Sequence, residues 1–591
     1  MTTESIMKVQ NKRIRPLRVM IIVASLFFIF LLLRRGFLED ESPDIIVLSE
    51  DSSIDGEGID FDKQFLEMLH SQDDECPDYL QYSRQRHPPF SKGEYNYPYM
   101  RPAPKCRTFQ SEIVESLIKD LQNKVKNNDL ARLIENCLPN TLDTTILWHK
   151  PGSEDESNEP QTFIVTGDIH AEWLRDSARQ LSIYQPFIKY DKALKEMIKG
   201  AINTQAKYVV DSPYCNAFHP PPDSGVKRGL TSEDNVYPKP DWDQVFECKY
   251  EIDSLASFLT LSNDYFEHSG GDDSFLTKTW WKAYENLLVV LRRESQPSFD
   301  KETGYELPFY YSFQRQTNVG SETLPLGGVG NPVNYGTGLV RSAFRPSDDS
   351  CILQFFIPGN IHMLTELRRT RKNLLTKTNQ KLFDLKLLTD VTDNFINDLT
   401  YGIDKYGIIN HPKYGKVYAY EVDGYGGATF MDDANIPSLL SIPDLGFTSK
   451  DDTIYQNTRK MILDKSGNPY YLKGRYFEGI GGPHIGLSHA WPMSLLVAIR
   501  TTDNDQEIMR HLQLVMQTTG GMGLMHEGVN VHSQSGYDYT RSWFAWCNSE
   551  FGKTILHLAK HKPHLIFKKE YSSKAYDLDA ILQSFTQSVR E

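Results

Sequence analysis

From about residue 106 to the C-terminus, segments with helical periodicity alternate with long polar loops, and this alternation restricts the possible folds more than any other feature. Apolar residues recur at three-and-four spacing in each of the predicted helices. These helices cover residues 112–137, 173–190, 191–210, 252–262, 274–293, 375–401, 485–501, 505–518 and 542–560. The pattern predicts an all-α toroid, in which inner and outer helices alternate around a ring and the loops form a pocket at one end. The alternative is a pair of helical domains divided near residues 299–350.

The loops between these helices indicate where function resides. Residues 216–243, 299–350 and 405–433 are polar and rich in glycine and aromatic residues. Loops of this length inside a compact body are usually functional. We therefore expect side chains from these loops to contribute to a binding or catalytic site.

The composition is that of a large globular protein with an acidic balance. The chain has 591 residues, of which 39% are hydrophobic and 24% are charged, and its formal net charge is −14. Neutralising the phosphates of a nucleic acid requires a basic surface. The charge therefore argues against a nucleic-acid partner and favours a neutral or weakly charged ligand.

The N-terminus has the pattern of a membrane anchor. A basic tail, residues 1–18, precedes residues 19–33, which are uncharged and apolar apart from Ser25. Arg34 and Arg35 follow, and snorkelling arginines allow so short a stretch to cross a thin bilayer. Because acidic residues come next, the positive-inside rule places the N-terminus in the cytosol and the body in a lumen. A cleaved signal peptide is the alternative, but no small-x-small site follows residue 33, so we expect an uncleaved signal anchor and a single-pass type II protein of the ER or Golgi membrane.

Residues 34–105 have the composition of a linker, first acidic and then rich in proline and tyrosine, which places the folded body at residues 106–591. The seven cysteines are scattered, without CxxC or metal-finger spacing. A lumenal location permits one to three disulfides, for example among Cys76, Cys106 and Cys137, although spacing does not determine their pairing. The chain has no Asn-x-Ser/Thr glycosylation site, which is unusual for a lumenal body of this length.

Residues 166–177, TGDIHAEWLRDS, contain more polar side chains than a helix start requires. If Asp168, Trp173, Arg175 and Asp176 converge, the indole can stack on a pyranose ring and the charged groups can bond its hydroxyls. The alternative is an ordinary N-capped helix with a solvated ion pair. Similar segments further along the chain favour the sugar site.

Two further segments concentrate acidic residues, one in a loop and one at a predicted helix start. FRPSDDS contains Arg345 and the adjacent carboxylates of Asp348 and Asp349. Because neighbouring carboxylates repel each other, at least one of them is expected to have a raised pKa in a partly dry site and to act as a proton donor. ECKYEID places Asp253 in a helix start, where it belongs either to a solvated first turn or to a clamp for sugar hydroxyls.

Glycine-rich turns contribute the remaining candidates. GGPHIG places His484 before a helix, without the spacing of a phosphate loop. MHEG places His526 and Glu527 in a loop, with Arg541 following in TRSWFAW. Glu527 has no evident structural role and is a candidate general base. A proton-donating aspartate from residues 344–350 and Glu527 would supply the two groups of glycoside hydrolysis, one protonating the departing oxygen and the other activating water or attacking the anomeric carbon.

Six ordered motifs together resemble glycoside hydrolase family 125, the exo-alpha-1,6-mannosidases, and its fungal branch in particular. They are TGDIHAEWLRDS, ECKYEIDSL, FRPSDDS, MDDANIPSLL, GGPHIG, and MHEG followed by TRSWFAWCNSEFG. The resemblance covers about residues 106–565. It implies an (α/α)6 barrel and the inverting removal of terminal alpha-1,6-linked mannose from a mannose-containing glycan, without a metal or other cofactor. It indicates nothing about the oligomeric state.

The resemblance also implies roles for individual residues. The general base falls on Glu527 and the general acid on FRPSDD, where Asp349 is the first choice and Asp348 the second. The substrate-binding candidates are Asp168, Trp173, Arg175, Asp176, Asp253, Arg345, His484, His526 and Arg541, and Trp543 is expected to shape the sugar pocket. The chain departs from the family pattern at His170 and Glu172, where apolar residues are expected, and this affects the preference for the leaving group.

Two other functions fit parts of the pattern. The pairs Asp348–Asp349 and Asp432–Asp433 can be drawn as the magnesium-binding clusters of helical enzymes that ionise prenyl diphosphates, but the DDxxD spacing is absent and basic residues are sparse nearby. Alternatively, Asp432 or Asp433 caps a helix. A non-catalytic lectin or glycan chaperone on the same scaffold is the third possibility, because binding and cleavage share most of their contacts.

Overall fold

The computed structural model describes residues 76–153, 159–231, 234–376 and 385–588. Several long helices begin after a capping side chain; Ser111 accepts a hydrogen bond from the backbone N–H of Val114, and Asp191 accepts one from that of Leu194. Such caps satisfy donors that the first helical turn leaves free. In chain order the helices are α1 (Tyr79–Tyr82), α2 (Glu112–Lys124), α3 (Asn128–Cys137), α4 (Asn140–Thr144), α5 (Leu174–Ser182), α6 (Lys192–Asp211), α7 (Ile252–His268), α8 (Lys278–Glu294), α9 (Ile357–Asn373), α10 (Leu385–Gly402), α11 (Thr453–Ile462), α12 (Pro492–Arg500), α13 (Asp505–Gln517), α14 (Ala545–His561), α15 (Pro563–Ile566) and α16 (Leu578–Ser588).

The long helices alternate between an inner and an outer layer. The inner helices α12, α14, α5, α7 and α9 contact one another in that order and are buried over most of their length. Outer helices pack against them, with α6 against α7, α10 against α9, α13 against α12 and α3 against α14. This layering is that of an (α/α) toroid, as the sequence pattern predicts. The described residues, including the loop 299–350, belong to one compact unit.

Between α9 and α12, the turn-rich segment 432–446 takes the place of a regular inner helix. Asp432 fixes this segment by accepting hydrogen bonds from the backbone N–H groups of Leu439 and Leu440, at 2.8 and 3.0 Å. Asp444, further along the segment, lies 2.5 Å from the guanidinium of Arg500 at the end of α12. The same guanidinium lies 2.6 Å from Glu550 on α14. One buried cation therefore joins three neighbouring parts of the ring.

Replacing Arg500 with methionine is expected to lower the free energy of unfolding by about 3–5 kcal/mol, because the buried carboxylate of Glu550 and the partly buried one of Asp444 lose their shared counter-ion. The matched control is Arg371→Met, which removes an exposed guanidinium paired with Asp393 and should cost at most about 1 kcal/mol. Chemical denaturation of both variants measures the difference. Equal effects would mean that the buried cation does not stabilise the ring.

Short antiparallel strands join the loops at one end of the toroid, so the fold is helix-rich rather than strictly all-α. The strand β3 ends immediately before α5, β8 before α9, and β15 ends two residues before α12. Each pairs with loop strands, in the orders β3-β4-β6, β12-β11-β8 and β15-β16. The strands are β1 (Ile146–Lys150), β2 (Gln161–Ile164), β3 (Glu172–Trp173), β4 (Ala217–Phe218), β5 (Asn235–Tyr237), β6 (Val245–Glu247), β7 (Ser312–Gln314), β8 (Phe355–Phe356), β9 (Ile408–His411), β10 (Gly415–Tyr418), β11 (Glu421–Val422), β12 (Ala428–Thr429), β13 (Tyr471–Lys473), β14 (Glu478–Ile480), β15 (His489–Ala490) and β16 (Val529–Asn530).

The described part of the predicted linker packs on the body. Tyr97 and Met100 are buried, and Arg101 forms an ion pair at 2.7 Å with the buried carboxylate of Asp143. A disulfide joins Cys76 to Cys106. The prolines and tyrosines that indicate a linker in the sequence therefore line an extended segment that adheres to the toroid.

The disulfides agree only in part with the sequence analysis, which named Cys76, Cys106 and Cys137 as candidates. Cys76 pairs with Cys106, whereas Cys137 is a free, buried thiol. A second disulfide joins Cys215 and Cys248 across two loops next to the inner helices.

The predicted membrane anchor, residues 19–33, lies outside the described residues, as do the basic tail and residues 34–75 of the predicted linker. Within the described ranges, every helix is either too short or too polar to span a membrane.

Candidate active site

The starts of the inner helices surround a pocket with about 350 Å³ of empty space, which opens to solvent. Of the residues predicted from the sequence, the pocket contains Trp173, Arg175, Asp176, Asp348, His484, Glu527 and Arg541. Its other lining residues are Thr166, Pro346, Ser347, Asn435, Trp491, Phe544 and Trp546. The motifs that are far apart in sequence therefore converge on one site.

The start of α5 contributes two charged groups and an indole. Trp173 is held in β3 opposite Ala217, and Arg175 and Asp176 follow in the first turn of the helix. Burial raises the pKa of Asp176 to about 6, although the neighbouring Arg175 acts in the opposite direction. Asp176 Oδ2 is buried and has no hydrogen-bond partner among the described residues. A ligand hydroxyl can satisfy such an atom.

A tight turn determines which aspartate of the FRPSDDS motif faces the pocket. The backbone N–H of Asp348 donates to the carbonyl of Arg345 at 2.9 Å, with Pro346 in the second turn position, where its fixed φ is favourable. Asp348 adopts a left-handed conformation with φ of 66°, which is uncommon outside glycine and often occurs at functional sites. Its side chain is 20% exposed and lines the pocket, whereas Asp349 is 1% exposed and lies behind the wall.

Cationic and amide groups surround Asp348. The Asn216 side-chain amide donates to Oδ1 at 3.1 Å, and an Arg175 Nη2 atom lies 3.8 Å from the same oxygen. Burial acts to raise the pKa of Asp348, but Lys249 and Arg175 outweigh burial and bring this pKa to about 2. The same Asn216 nitrogen lies 3.3 Å from Glu251 Oε1, so the two carboxyl groups are close enough to influence each other's titration.

Asp349 belongs to a second acidic pair. The Ser347 hydroxyl lies 3.1 Å from Asp349 Oδ2 and 2.6 Å from Asp433 Oδ2. Burial raises the pKa of Asp349 to about 6, with a further contribution from Asp433. The raised pKa expected for one aspartate of the motif falls on Asp349, but the neighbouring carboxylate is Asp433 rather than Asp348, and Asp349 does not line the pocket.

Glu527 lies in the Gly-rich loop before α14 and is only 7% exposed. The Thr540 hydroxyl donates to its Oε2 atom at 2.8 Å, and Arg541 Nε lies 3.5 Å from its Oε1 atom. These contacts orient the carboxylate on the wall of the pocket that also contains Asp348. Glu527 and Asp348, the second choice for the acid, therefore share one small cavity, and Asp349, the first choice, does not line it.

Aromatic side chains form the apolar part of the wall. Trp173, Trp491, Phe544 and Trp546 line the pocket, and Trp543 lies outside the lining. Trp491 and Phe544 immediately precede α12 and α14, as Trp173 precedes α5. This repeated position at inner-helix starts is the signal in the sequence that identifies Trp491. The indole N–H groups of Trp173 and Trp491 are buried without a partner among the described residues.

Several predicted binding residues support the pocket from behind. Arg345 is buried, forms an ion pair with Glu421 at 2.7 Å and stacks on Tyr420. Asp253 is buried 3.6 Å from Arg175, and burial raises its pKa to about 6. These residues hold other side chains in place and do not line the cavity. Sequence patterns identify their polarity but not which side of the wall they occupy.

His526 and Asp168 also lie outside the pocket lining, on either side of Arg541. His526 Nδ1 lies 2.8 Å from the Arg541 carbonyl, and burial lowers the histidine pKa to about 4. Asp168 Oδ1 lies 3.5 Å from Arg541 Nη1. Both residues therefore position the arginine.

The departures from the family pattern have different explanations. His170 is exposed. Glu172 is buried and accepts hydrogen bonds from the Ile164 N–H and the Ser177 hydroxyl, each at 3.1 Å. Burial raises the pKa of Glu172 to about 8. It is a structural acid within the wall.

The acidic pairs do not form a metal cluster in the described part of the chain, where no group of three or more His, Cys, Asp or Glu side chains is arranged to hold an ion. Asp432 accepts hydrogen bonds from backbone N–H groups, as a capping residue does, but segment 432–446 is turn-rich and no α-helix begins there. Asp433 accepts hydrogen bonds from the Asn435 N–H at 3.2 Å and from its side-chain amide at 3.1 Å.

A helical toroid whose pocket combines two carboxylates with aromatic walls defines a glycosidase. Residues 127–556 match the model of the metal-independent alpha-mannosidases, glycoside hydrolase family 125, and the chain belongs to this family. The family predicted from the six motifs is confirmed, and the prenyl diphosphate alternative is wrong.

Two relatives extend this comparison. The chain is 51% identical to the meiotically up-regulated gene 157 protein of Schizosaccharomyces pombe over 494 residues, which cover 83% of this chain and 94% of the relative. It is 31% identical to a metal-independent alpha mannosidase from Streptococcus pneumoniae, with a TM-score of 0.66 and coverage of 76% of this chain and 98% of the bacterial chain. That structure is a non-productive substrate complex with alpha-1,6-mannobiose.

Proposed function

We propose that this protein removes terminal alpha-1,6-linked mannose from glycans by inverting hydrolysis, with Asp348 as general acid and Glu527 as general base. The observation that carries the proposal is the presence of both carboxylates in one small pocket of a family 125 mannosidase. Asp348 gives its proton to the departing glycosidic oxygen. Glu527 takes a proton from water as the water oxygen attacks the anomeric carbon. The products are mannose and the shortened glycan.

We assign the acid to Asp348 rather than to Asp349, the first choice from the sequence. A general acid must reach the oxygen that it protonates, directly or through one water. Asp348 lines the pocket, whereas Asp349 is buried behind it and engaged with Ser347. The pKa of Asp349 is raised and that of Asp348 is lowered, but access to the substrate decides the assignment, because a buried group that cannot reach the glycosidic oxygen cannot transfer its proton.

The pocket has the chemistry to hold one mannose residue. Trp173, Trp491 and Trp546 offer flat apolar faces for the sugar ring. Asp176, Arg175 and Arg541 offer charged partners for its hydroxyls. A small pocket lined by both carboxylates and aromatic side chains favours an exo-acting enzyme, which binds one terminal residue at a time.

Preference for the alpha-1,6 linkage is supported by the bacterial relative, whose structure contains alpha-1,6-mannobiose. The test is a panel of linkage-defined mannobioses, with proton NMR of the first sugar released. We expect cleavage of the alpha-1,6 isomer and initial formation of beta-mannose. Cleavage of another linkage in preference, or alpha-mannose appearing first, would contradict the respective part of the proposal.

We further propose that the toroid is an (α/α)6 barrel of the fungal branch of the family, with segment 432–446 as the inner element of one repeat. The ring order of the inner helices and the similarity to the fission yeast protein support this.

We also propose that residues 19–33 anchor the chain in the ER or Golgi membrane, with the body in the lumen. The charge pattern of the N-terminus supports this topology, and so do the two disulfides, because disulfides persist in oxidising compartments. Protease protection in sealed microsomes is the test. The body should resist digestion until detergent is added, and digestion in sealed vesicles would contradict the topology.

A further inference from the structure

A buried glutamate lies directly behind the general acid. Glu251 immediately precedes α7 and is almost completely buried. Its Oε2 atom accepts hydrogen bonds from Arg175 Nη1 at 2.5 Å and from the Ser254 hydroxyl at 2.7 Å. A carboxylate with so many specific partners has a fixed position.

Asn216 connects Glu251 to Asp348. Its side-chain nitrogen lies 3.1 Å from Asp348 Oδ1 and 3.3 Å from Glu251 Oε1. Both carboxyl groups therefore lie within hydrogen-bond distance of one amide nitrogen. Two carboxylates this close repel each other when both are ionised, which favours a state in which the pair keeps one proton.

A disulfide fixes the loops that surround this pair. Cys215 precedes Asn216, Cys248 precedes Lys249, and the two cysteines are bonded. The Lys249 backbone N–H also donates to the Asn216 side-chain oxygen at 3.0 Å. The disulfide therefore holds the amide and the ammonium group on either side of the acid pair.

We propose that Glu251 is a positioning residue that shares one proton with Asp348, and that Asn216, fixed by the Cys215–Cys248 disulfide, keeps the two carboxyl groups in register. The inference rests on the proposed function, because it assigns the source of the proton that Asp348 donates. In the resting enzyme the pair carries one proton and one negative charge. After Asp348 gives its proton to the glycosidic oxygen, both carboxylates of the pair are ionised. Glu527 then releases to solvent the proton that it took from water, and the pair takes up a proton from solvent.

Neighbouring charges determine how the pair titrates. Burial and Asp348 raise the pKa of Glu251, against the effect of Arg175. The ionisable groups around the pair come from α5, α7, the strand β6 and four loops. They are Arg175, Asp176, Glu247, Lys249, Asp253, Tyr311, His484 and Arg541. The cations stabilise the doubly ionised state that follows proton transfer.

The pair makes activity depend on pH in a defined direction. Activity requires the shared proton, so it is present below the raised pKa of the pair and is lost as pH rises through that value. In Glu251→Gln the repulsion is gone, and Lys249 and Arg175 then lower the pKa of Asp348 alone. The alkaline limb of the kcat/KM profile should therefore move to lower pH.

The experiment measures kcat/KM for alpha-1,6-mannobiose across pH in the Glu251→Gln variant. We expect the alkaline limb to shift by about one pH unit or more, which lowers activity at neutral pH about tenfold, with partial recovery in acid. The matched control is Glu294→Gln, another buried glutamate, which accepts a hydrogen bond from the Tyr214 hydroxyl at 3.0 Å. The control should leave the limb in place. An unshifted limb in Glu251→Gln overturns the inference, whatever the loss of activity.

A second variant guards against misfolding of the first. Asn216→Ala removes a donor that favours ionised Asp348, so the alkaline limb should move to higher pH, opposite to the shift in Glu251→Gln. Shifts of both variants in the same direction would also overturn the inference. Failure of the proposed function is distinguishable, because Asp348→Asn would then retain full activity on mannobiose.

A separate observation concerns a second pocket beside the first, with about 820 Å³ of empty space. Tyr79 and Tyr82, from the segment held by the Cys76–Cys106 disulfide, line it together with Asp168, His170 and Trp543. Asp168 lies 3.5 Å from Arg541 of the active-site pocket, so one ion pair separates the two cavities. The buried Trp543 indole N–H and Asp168 Oδ1 have no hydrogen-bond partner among the described residues.

We infer that this second pocket binds sugar residues on the leaving-group side of the scissile bond. Half-buried tyrosines and unsatisfied polar atoms suit pyranose rings. This inference also rests on the proposed function, and it gives the exposed His170 a role. The segment from residue 76 to 106 lies outside the part of the chain that matches the family model, so this contact would be an addition to the family fold.

The test compares two substrates in the His170→Ala variant. For an alpha-1,6-mannotetraose, kcat/KM should fall about 3- to 10-fold, while for 2,4-dinitrophenyl alpha-mannoside, which has no leaving-side sugar, it should stay within about twofold. His532→Ala, at another exposed histidine, is the control and should change neither. Equal effects on both substrates, or no effect on either, would overturn the inference. If the unaltered protein hydrolyses neither mannoside, the proposed function itself is refuted.

Discussion

Replacement of Glu527 with glutamine should abolish hydrolysis while leaving mannose binding intact. Glutamine has nearly the same shape and can still accept the Thr540 hydrogen bond, but it cannot take a proton from water. General base catalysis contributes about 10²–10⁴-fold, so kcat on alpha-1,6-mannobiose should fall by at least about 10²-fold. Kinetics measures the first quantity and isothermal titration with mannobiose measures the second.

The control for this variant is Glu478→Gln. Glu478 is another buried glutamate, paired with Arg510 at 2.5 Å, and it does not line the pocket. Its replacement should leave kcat within about threefold. A Glu527→Gln variant that keeps its turnover would exclude Glu527 as the base. An unaltered protein that binds mannobiose without turnover would make the chain a lectin on a mannosidase scaffold.

The fold was predictable where helices expose one face to solvent. Residues 191–210 and 505–518 show the three-and-four pattern and lie in the outer helices α6 and α13. The inner helix α9 was missed, because residues 357–367 are buried all round and show no polar face from which a period can be read. The predicted helix 112–137 is two helices, because Val125 leaves the helical conformation and Asn127 caps the next one.

The sequence predicted which motifs form the site. It did not predict which residues of those motifs line the pocket and which lie behind its wall. Arg345, Asp253 and His526 are as polar in sequence as Arg175 and Arg541, yet they lie behind the lining. Burial of an ionisable group depends on which partner the fold brings to it. For Arg345 that partner is Glu421, far away in sequence.

The choice between Asp348 and Asp349 shows the same limit in a single motif. Adjacency in the sequence suggests that the two carboxylates repel each other, but the fold places Asp433 rather than Asp348 beside Asp349. The left-handed conformation of Asp348 turns its side chain to the pocket. The sequence alone does not reveal this backbone conformation.

Replacement of Asp348 with asparagine should therefore separate two substrates that differ in their need for an acid. On alpha-1,6-mannobiose, whose leaving alcohol must be protonated, kcat/KM should fall by about 10²–10⁴-fold. On 2,4-dinitrophenyl alpha-mannoside, whose phenolate leaves without a proton, the loss should be less than about tenfold, because the asparagine keeps the shape of the wall. Steady-state kinetics on both substrates gives the ratio.

Asp349→Asn is the matched comparison, since it makes the same change one residue away. Asp349 is buried and bonded to Ser347, so its replacement should disturb the wall and lower kcat/KM for both substrates by a similar factor. A large difference between the substrates in Asp349→Asn, with none in Asp348→Asn, would return the acid to Asp349. Comparing the two substrates therefore tests which aspartate reaches the departing oxygen. Only the aspartate that protonates this oxygen becomes dispensable on a substrate whose leaving group needs no proton.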